Sequence, residues 1–195
     1  SWFINKLSKR VELNNKKTAS WQEAEDGHHH DDKSEKLLFS WQDLESGFNL
    51  AREGYKVVLC PAEHIYFDMA QSRNYADRGA NWAAVIPFEK VVDWPIIPNS
   101  EPELEANIQG IQGHLWCETI LKDSEMESML CPRILGLAES GWSNESNRRK
   151  GSELGDLAET SYRELFDRIE WDYYKAENFD IMSDPSTDKE ALASE

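Results

Sequence analysis

The sequence predicts an α/β fold assembled from strand, polar loop and helix steps, the repeating unit of a (β/α)8 barrel. Short apolar runs at Thr18 to Trp21, Leu37 to Trp41 and Tyr55 to Pro61 have the length and flanking turn residues of buried strands. Ile108 to Trp142 then changes period midway. Ile108, Gly110, Ile111, Gly113 and Leu115 are packed as in a strand buried on both faces, whereas Met126, Met129, Leu130, Ile134, Leu135, Leu137, Ala138 and Trp142 recur at helical steps. Ser124, with Glu127 three residues on, reads as the cap of that helix.

In chain order, Trp2, Phe3, Ile4, Leu7, Val11 and Leu13 are spaced as on an amphipathic helix with basic residues opposite, and Asn14 to Lys17 form a turn. After the strand ending at Trp21 comes a polar loop with His28, His29, His30, Asp31 and Asp32. Three consecutive histidines cannot all aim at one ion from a regular backbone, so a solvated loop is expected, with no metal site and no cofactor. Asp43 to Glu53 reads as a helix stopped by Gly54. His64 to Met69 is expected to be extended, so that Tyr66 and Asp68 alternate and point the same way. By the same rule Trp116 and Glu118 project together from the end of the strand that begins at Ile108.

Residues 70–107 are long for a barrel loop and read as a functional rim carrying Trp82, with Trp94 as a packing residue. Asn144 to Ser152 is a connector. Leu154, Leu157, Ala158, Tyr162, Leu165, Phe166, Ile169 and Tyr173 predict an extra amphipathic helix over Glu153 to Tyr173, and residues 183–195 read as disordered.

At 195 residues the chain is shorter than the ~250 of a complete barrel. Its 39% hydrophobic content and eight tryptophans suffice for a core. The net charge of -16 leaves no basic patch to offset phosphates, which argues against nucleic acid or an anionic membrane and suits a neutral sugar. No apolar run of membrane-spanning length and no signal peptide is expected. Cys60, Cys117 and Cys131 stand alone in apolar segments and read as buried thiols.

Four ordered motifs carry a family resemblance. They are Ser20-Trp21-Gln22-Glu23; Phe39-Ser40-Trp41; Tyr66-Phe67-Asp68 followed by Trp82; and the QGHLWCE stretch to Glu118 with its helix MESMLCPRILGLAESGW. Together they resemble the glycoside hydrolase family 20 β-N-acetylhexosaminidases, the chitobiase-like enzymes, over residues 1 to about 143. The resemblance implies the C-terminal half of a TIM barrel, about strands five to eight, with an extra C-terminal helix. Its domain division would be 1–143 barrel, 144–182 connector and helix, and 183–195 tail.

The resemblance further implies that Trp21, Trp41 and Trp116 wall an acetamido pocket with Tyr66, whose hydroxyl bonds the substrate's acetamido oxygen. Without the resemblance, Trp21 reads first as a core residue, and Trp41 equally as a core or a pocket residue. Asp68 and Glu118 would hold sugar hydroxyls, and Trp82 would line the aglycone subsite. The implied reaction is substrate-assisted, retaining hydrolysis of terminal β-linked GlcNAc or GalNAc, in which an adjacent Asp-Glu pair supplies acetamido orientation and the general acid. The His-x-Gly-Gly-Asp-Glu type stretch that carries such a pair does not occur in this sequence. The expectation is therefore an enzyme by family, with this chain alone inactive; the alternative is a non-catalytic glycan-binding or acidic interaction protein. The partner would be an oligosaccharide with a terminal N-acetylhexosamine. Open sheet edges make a homo-oligomer plausible, and the family slightly favours a periplasmic or secreted location.

Overall fold

The computed structural model describes residues 2–27 and 32–175, in two compact units: Ser1–Ile65 with Pro95–Gly113, and Tyr66–Trp94 with His114–Glu195. The loop residues His28 to Asp31 and the expected tail 183–195 lie outside the described residues.

The first unit is a four-stranded parallel sheet whose strands lie side by side in sequence order: β1 (Ala19–Trp21), β2 (Leu37–Ser40), β3 (Lys56–Leu59) and β4 (Ile108–Ile111). Parallel neighbours need crossovers, and these follow from local signals. Helix α1 (Trp2–Glu12) precedes β1, and α2 (Leu44–Arg52) joins β2 to β3. The Asp43 carboxylate caps α2 by accepting from the Ser46 N–H at 2.6 Å, and Gly54, at φ 95°, takes the left-handed turn after it. Helix α2 buries Phe48, Leu50 and Ala51; strands β2 and β3 bury Leu38, Val57 and Leu59. A single helical turn, α3 (Ala62–Ile65), follows β3.

Two features of this unit differ from expectation. The amphipathic helix forms, but Trp2, Phe3 and Leu7 remain exposed, and only Ser8 is buried on α1. Strand β4 ends at Ile111 rather than reaching Trp116, and only Ile108 on it is fully buried. Its register against β3 shifts between Val57 and Val58, skipping Gln109, and pairing resumes only as far as Leu59 with Ile111, where β3 itself stops.

The second unit is helical: α4 (Phe88–Val92), α5 (Asp123–Leu130), α6 (Arg133–Trp142), α7 (Gly151–Leu157) and α8 (Arg163–Arg168). Helix α4 packs on α6 and α7. Trp94 is 2% exposed and donates its indole N–H to the Val91 carbonyl at 2.9 Å, the packing role expected of it.

Here too the expected elements are redrawn. Met126 to Trp142 is not one helix, because Pro132 has no N–H to donate and forces the preceding Cys131 into an extended conformation (ψ 134°). Ser124 does not cap; α5 starts one residue earlier, and the Glu125 carboxylate accepts from the Leu121 N–H at 2.8 Å. The last helical run spans Gly151 to Arg168, with a π turn at Ala158–Tyr162, and Tyr173 falls beyond its end. Cys60 and Cys131 are buried, and burial pushes their thiols up to about 12 and about 11. Cys117 is exposed, contrary to expectation, because it lies on the irregular segment after β4.

Candidate functional site

In the first unit the strand ends carry Trp21 and Trp41. Trp21 is the last residue of β1, and its ring meets Phe39 edge-on at 5.9 Å. Trp41 follows β2 and is fixed at both ends. Its backbone N–H donates to the Gln22 side-chain oxygen at 2.7 Å, and its indole N–H to the Glu23 carboxylate at 2.6 Å. The same Gln22 oxygen accepts from the Ser40 hydroxyl at 3.0 Å. Gln22 and Glu23 belong to the Ser20-Trp21-Gln22-Glu23 motif, so half of that motif is scaffolding for an indole.

The second unit gathers five of the expected residues. Tyr66 to Met69 is not an extended segment: Tyr66 and Met69 make isolated bridges to His114 and Ala80, and Phe67 and Asp68 form the turn between. The Phe67 N–H donates to the His114 carbonyl at 2.6 Å, bringing the Tyr66 turn beside the segment after β4. Tyr66, 4% exposed, lies 6.1 Å from the Trp82 ring, 6.2 Å from Trp116 and 5.3 Å from His114. Rings at these separations and tilts are mutually attractive beyond the area they bury. His114 stacks parallel to Trp116 at 5.7 Å and 7°. Trp82 is 60% exposed and Trp116 41%, so a buried phenol sits among two indoles open to solvent.

Asp68 stands at the edge of this cluster, 5% exposed, and its carboxylate accepts weakly from the Trp116 N–H at 3.4 Å. Burial raises its pKa above the usual carboxylate range. The negative charge of Glu118 pushes the same way, while the backbone N–H groups of Asp68 and Trp116 and the charge of Arg133 oppose it. Glu118 is exposed and lies in a turn rather than an extended strand, so its direction is set by that turn and not by alternation with Trp116. Burial lowers the His114 pKa, favouring the neutral ring.

The rim that carries Trp82 is pinned by Asp77. One carboxylate oxygen accepts from the N–H groups of Gln71 and Ser72 at 2.8 and 2.9 Å, and the other from the Gly79 N–H at 3.0 Å. A Cβ at Gly79 would come within 2.3 Å of the Ala70 nitrogen, so the two arms of the loop close only over a glycine. His114, Asp77 and Arg133 were not foreseen as site residues. The one sequence signal was the Pro-Arg inside the second half of the Ile108 to Trp142 motif. Among the described residues no group of three or more His, Cys, Asp or Glu side chains is placed to hold a metal ion.

The first unit is thus a parallel α/β sheet, and the second carries an aromatic cluster around a buried tyrosine and a buried carboxylate, with two indoles open to solvent. The sequence profile "Glycosyl hydrolase family 20, catalytic domain" matches residues 1–145, and the chain belongs to that family. It is 35% identical over 144 residues to a "Beta-hexosaminidase" of Vibrio furnissii, covering 71% of this chain and 23% of that protein. The crystal structure of a family 20 exo-β-N-acetylglucosaminidase from Vibrio harveyi, in complex with N-acetylglucosamine, superposes with a TM-score of 0.77 at 31% identity. That match covers 89% of this chain and 27% of the other. A Streptomyces plicatus N-acetyl-β-hexosaminidase, at 20% identity and a TM-score of 0.75, shares the fold. The chain thus spans about a quarter of the length of these Vibrio relatives.

Proposed function

We propose that this chain is the C-terminal half, about strands five to eight, of a β-N-acetylhexosaminidase barrel, holding the sugar while the Asp-Glu pair lies outside these 195 residues. Residues 1–143 would be the barrel portion and 144–182 a connector and helix. The observation that carries the reading is the cluster of buried Tyr66 beside Asp68, faced by solvent-open Trp82 and Trp116. A phenol is a neutral donor at pH 7. The Tyr66 hydroxyl would donate to the substrate's acetamido oxygen and hold it for attack on the anomeric carbon, so that the leaving group departs and a cyclic intermediate forms. Water then opens that intermediate from the face the leaving group left, which retains configuration.

The other expected residues take complementary roles in this proposal. Asp68 and Glu118 accept from sugar hydroxyls, Trp116 is an acetamido wall, and the indole of Trp82 stacks on the apolar CH face of a sugar ring in the aglycone subsite, worth on the order of 1 to 2 kcal/mol by area. Trp21 and Trp41 are proposed as acetamido walls of the complete enzyme. Among the described residues no helix is long and apolar enough to cross a membrane.

The test compares this chain with a longer one extended upstream through the missing strands, on a chromogenic β-N-acetylglucosaminide. Loss of general-acid catalysis alone lowers turnover ~10²- to 10⁴-fold, so the short chain is expected to be nearly inert. Equal turnover by both overturns the proposed division of labour.

A further inference from the structure

The least exposed charged group outside the proposed sugar contacts is Arg133, the first residue of α6, which is fully buried. Its guanidinium is satisfied almost entirely by backbone. One terminal nitrogen donates to the carbonyls of Met69 at 2.9 Å and Ile86 at 3.1 Å; the other donates to the carbonyls of Phe67 and, at 2.8 Å, Met129. The Nε donates to Met129 again at 3.3 Å, and the guanidinium lies 5.6 Å from the Phe67 ring.

The identity of these carbonyls matters more than their number. Phe67 and Met69 flank Asp68, so the fork grips the turn on both sides of the carboxylate. Ile86 closes the rim loop: its N–H donates to the Ala70 carbonyl, and the Ala70 N–H donates to Ala80, both at 2.7 Å. Trp82 lies between Ala80 and Ile86. One planar cation therefore holds the foot of the Asp68 turn and the base of the Trp82 loop against the end of α5. A salt bridge would not do this, because carbonyls on three segments need donors diverging in one plane, and a lysine ammonium has no such fork. The cost is desolvation, which lowers the Arg133 pKa to about 10; the nearby charges of Asp77 and Asp68 oppose the shift.

We infer that Arg133 is a positioning residue for the sugar site, a clamp that sets Asp68 and Trp82 together without touching the sugar. This rests on the sugar-site reading for its consequence, but the clamp has a signature in the ligand-free protein. The test uses the 195-residue chain labelled with 15N, its indole resonances assigned by single Trp→Phe variants, with Arg133→Lys and Arg133→Gln beside the wild type. Loosening the clamp is expected to shift or broaden the Trp82 and Trp116 indoles while those of Trp21 and Trp41 hold. Affinity for added N-acetylglucosamine should fall about tenfold, the scale of one weakened hydrogen bond to the sugar.

Unchanged Trp82 and Trp116 resonances with unchanged affinity overturn the clamp. Should both variants lose all indole dispersion together, the wild-type titration decides. Arg133 guanidinium N–H resonances that move as N-acetylglucosamine binds sustain it, and resonances that stay put while Trp116 moves overturn it. If N-acetylglucosamine moves no indole at all, the sugar-site reading fails, and the clamp is still judged on the ligand-free spectra.

Discussion

The two units position aromatic side chains by opposite means. In the first, Trp21 and Trp41 sit at the ends of regular parallel strands, and Gln22 and Glu23, 19 and 18 residues away in sequence but just beyond the adjacent strand β1, hold Trp41. In the second, Tyr66, Asp68 and Trp82 sit on turns and an irregular loop. Their backbone is held by charged side chains: Asp77 from within the loop, two to six residues from the amides it binds, and Arg133 from α6, 47 to 66 residues from the carbonyls of Phe67, Met69 and Ile86. A strand end inherits its direction from a ladder of backbone bonds. A turn inherits nothing, and needs buried charge to define it, at the desolvation cost that Arg133 and Asp68 both show.

That contrast can be broken at three points of decreasing effect. The first is the packing under the second unit. Trp94→Ala removes a nearly fully buried indole and is expected to destabilise by ~3 to 5 kcal/mol. Hydrogen exchange at the Ala70 and Ile86 amides, which close the rim loop, should accelerate accordingly. Native exchange rates at both would show that the loop does not depend on this core.

The second point separates stability from binding at Asp68. Its folded pKa is raised, so the folded state binds more protons than the unfolded one between the two values. The associated stability is present below the unfolded carboxylate pKa and is lost as pH rises through the folded one. Asp68→Asn, neutral at every pH, should therefore raise the melting temperature at pH 7 and shrink that gain toward pH 4. In the same variant sugar binding should weaken by ~1.5 to 3 kcal/mol, the worth of a charge-assisted hydrogen bond. Melting curves that show destabilisation at pH 7 would mean that the carboxylate is a structural anchor instead.

The smallest effect belongs to the regular unit. Asp43→Ala removes the cap of α2 and should cost ~1 kcal/mol in denaturant unfolding, since the other contacts of that helix remain. A loss several times larger would show that the sheet unit, too, hangs on single polar contacts.

The comparison also separates what could be read from the sequence. Strands β1, β2 and β3, the helix after β2 and the Gly54 stop were legible, because each follows from period or turn chemistry within a few residues, and Trp94 read as a packing residue because it matched no motif. Tyr66, Asp68, Trp82 and Trp116 were legible as candidates only through their motif resemblance. The alternation argued for Tyr66 with Asp68, and for Trp116 with Glu118, did not hold, because neither pair lies on a strand. Pro132 was visible in the sequence and still read through as helix. A single proline was outvoted there by apolar periodicity, although it lacks the N–H that a helix requires.

By itself the sequence determined the α/β class, the positions of three of the four strands and the family, since these depend on local propensity and on motif residues that need no coordinates. Only the tertiary structure decided where β4 ends, that Asp68 is a buried carboxylate at a turn, and that His114 stacks on Trp116. It alone also showed Arg133 gripping Phe67, Met69 and Ile86 at separations of 47 to 66 residues. The physical reason is range. Hydrogen bonds within a helix or to a cap join neighbours in the chain, whereas a guanidinium joins whichever carbonyls the packed fold brings within about 3 Å.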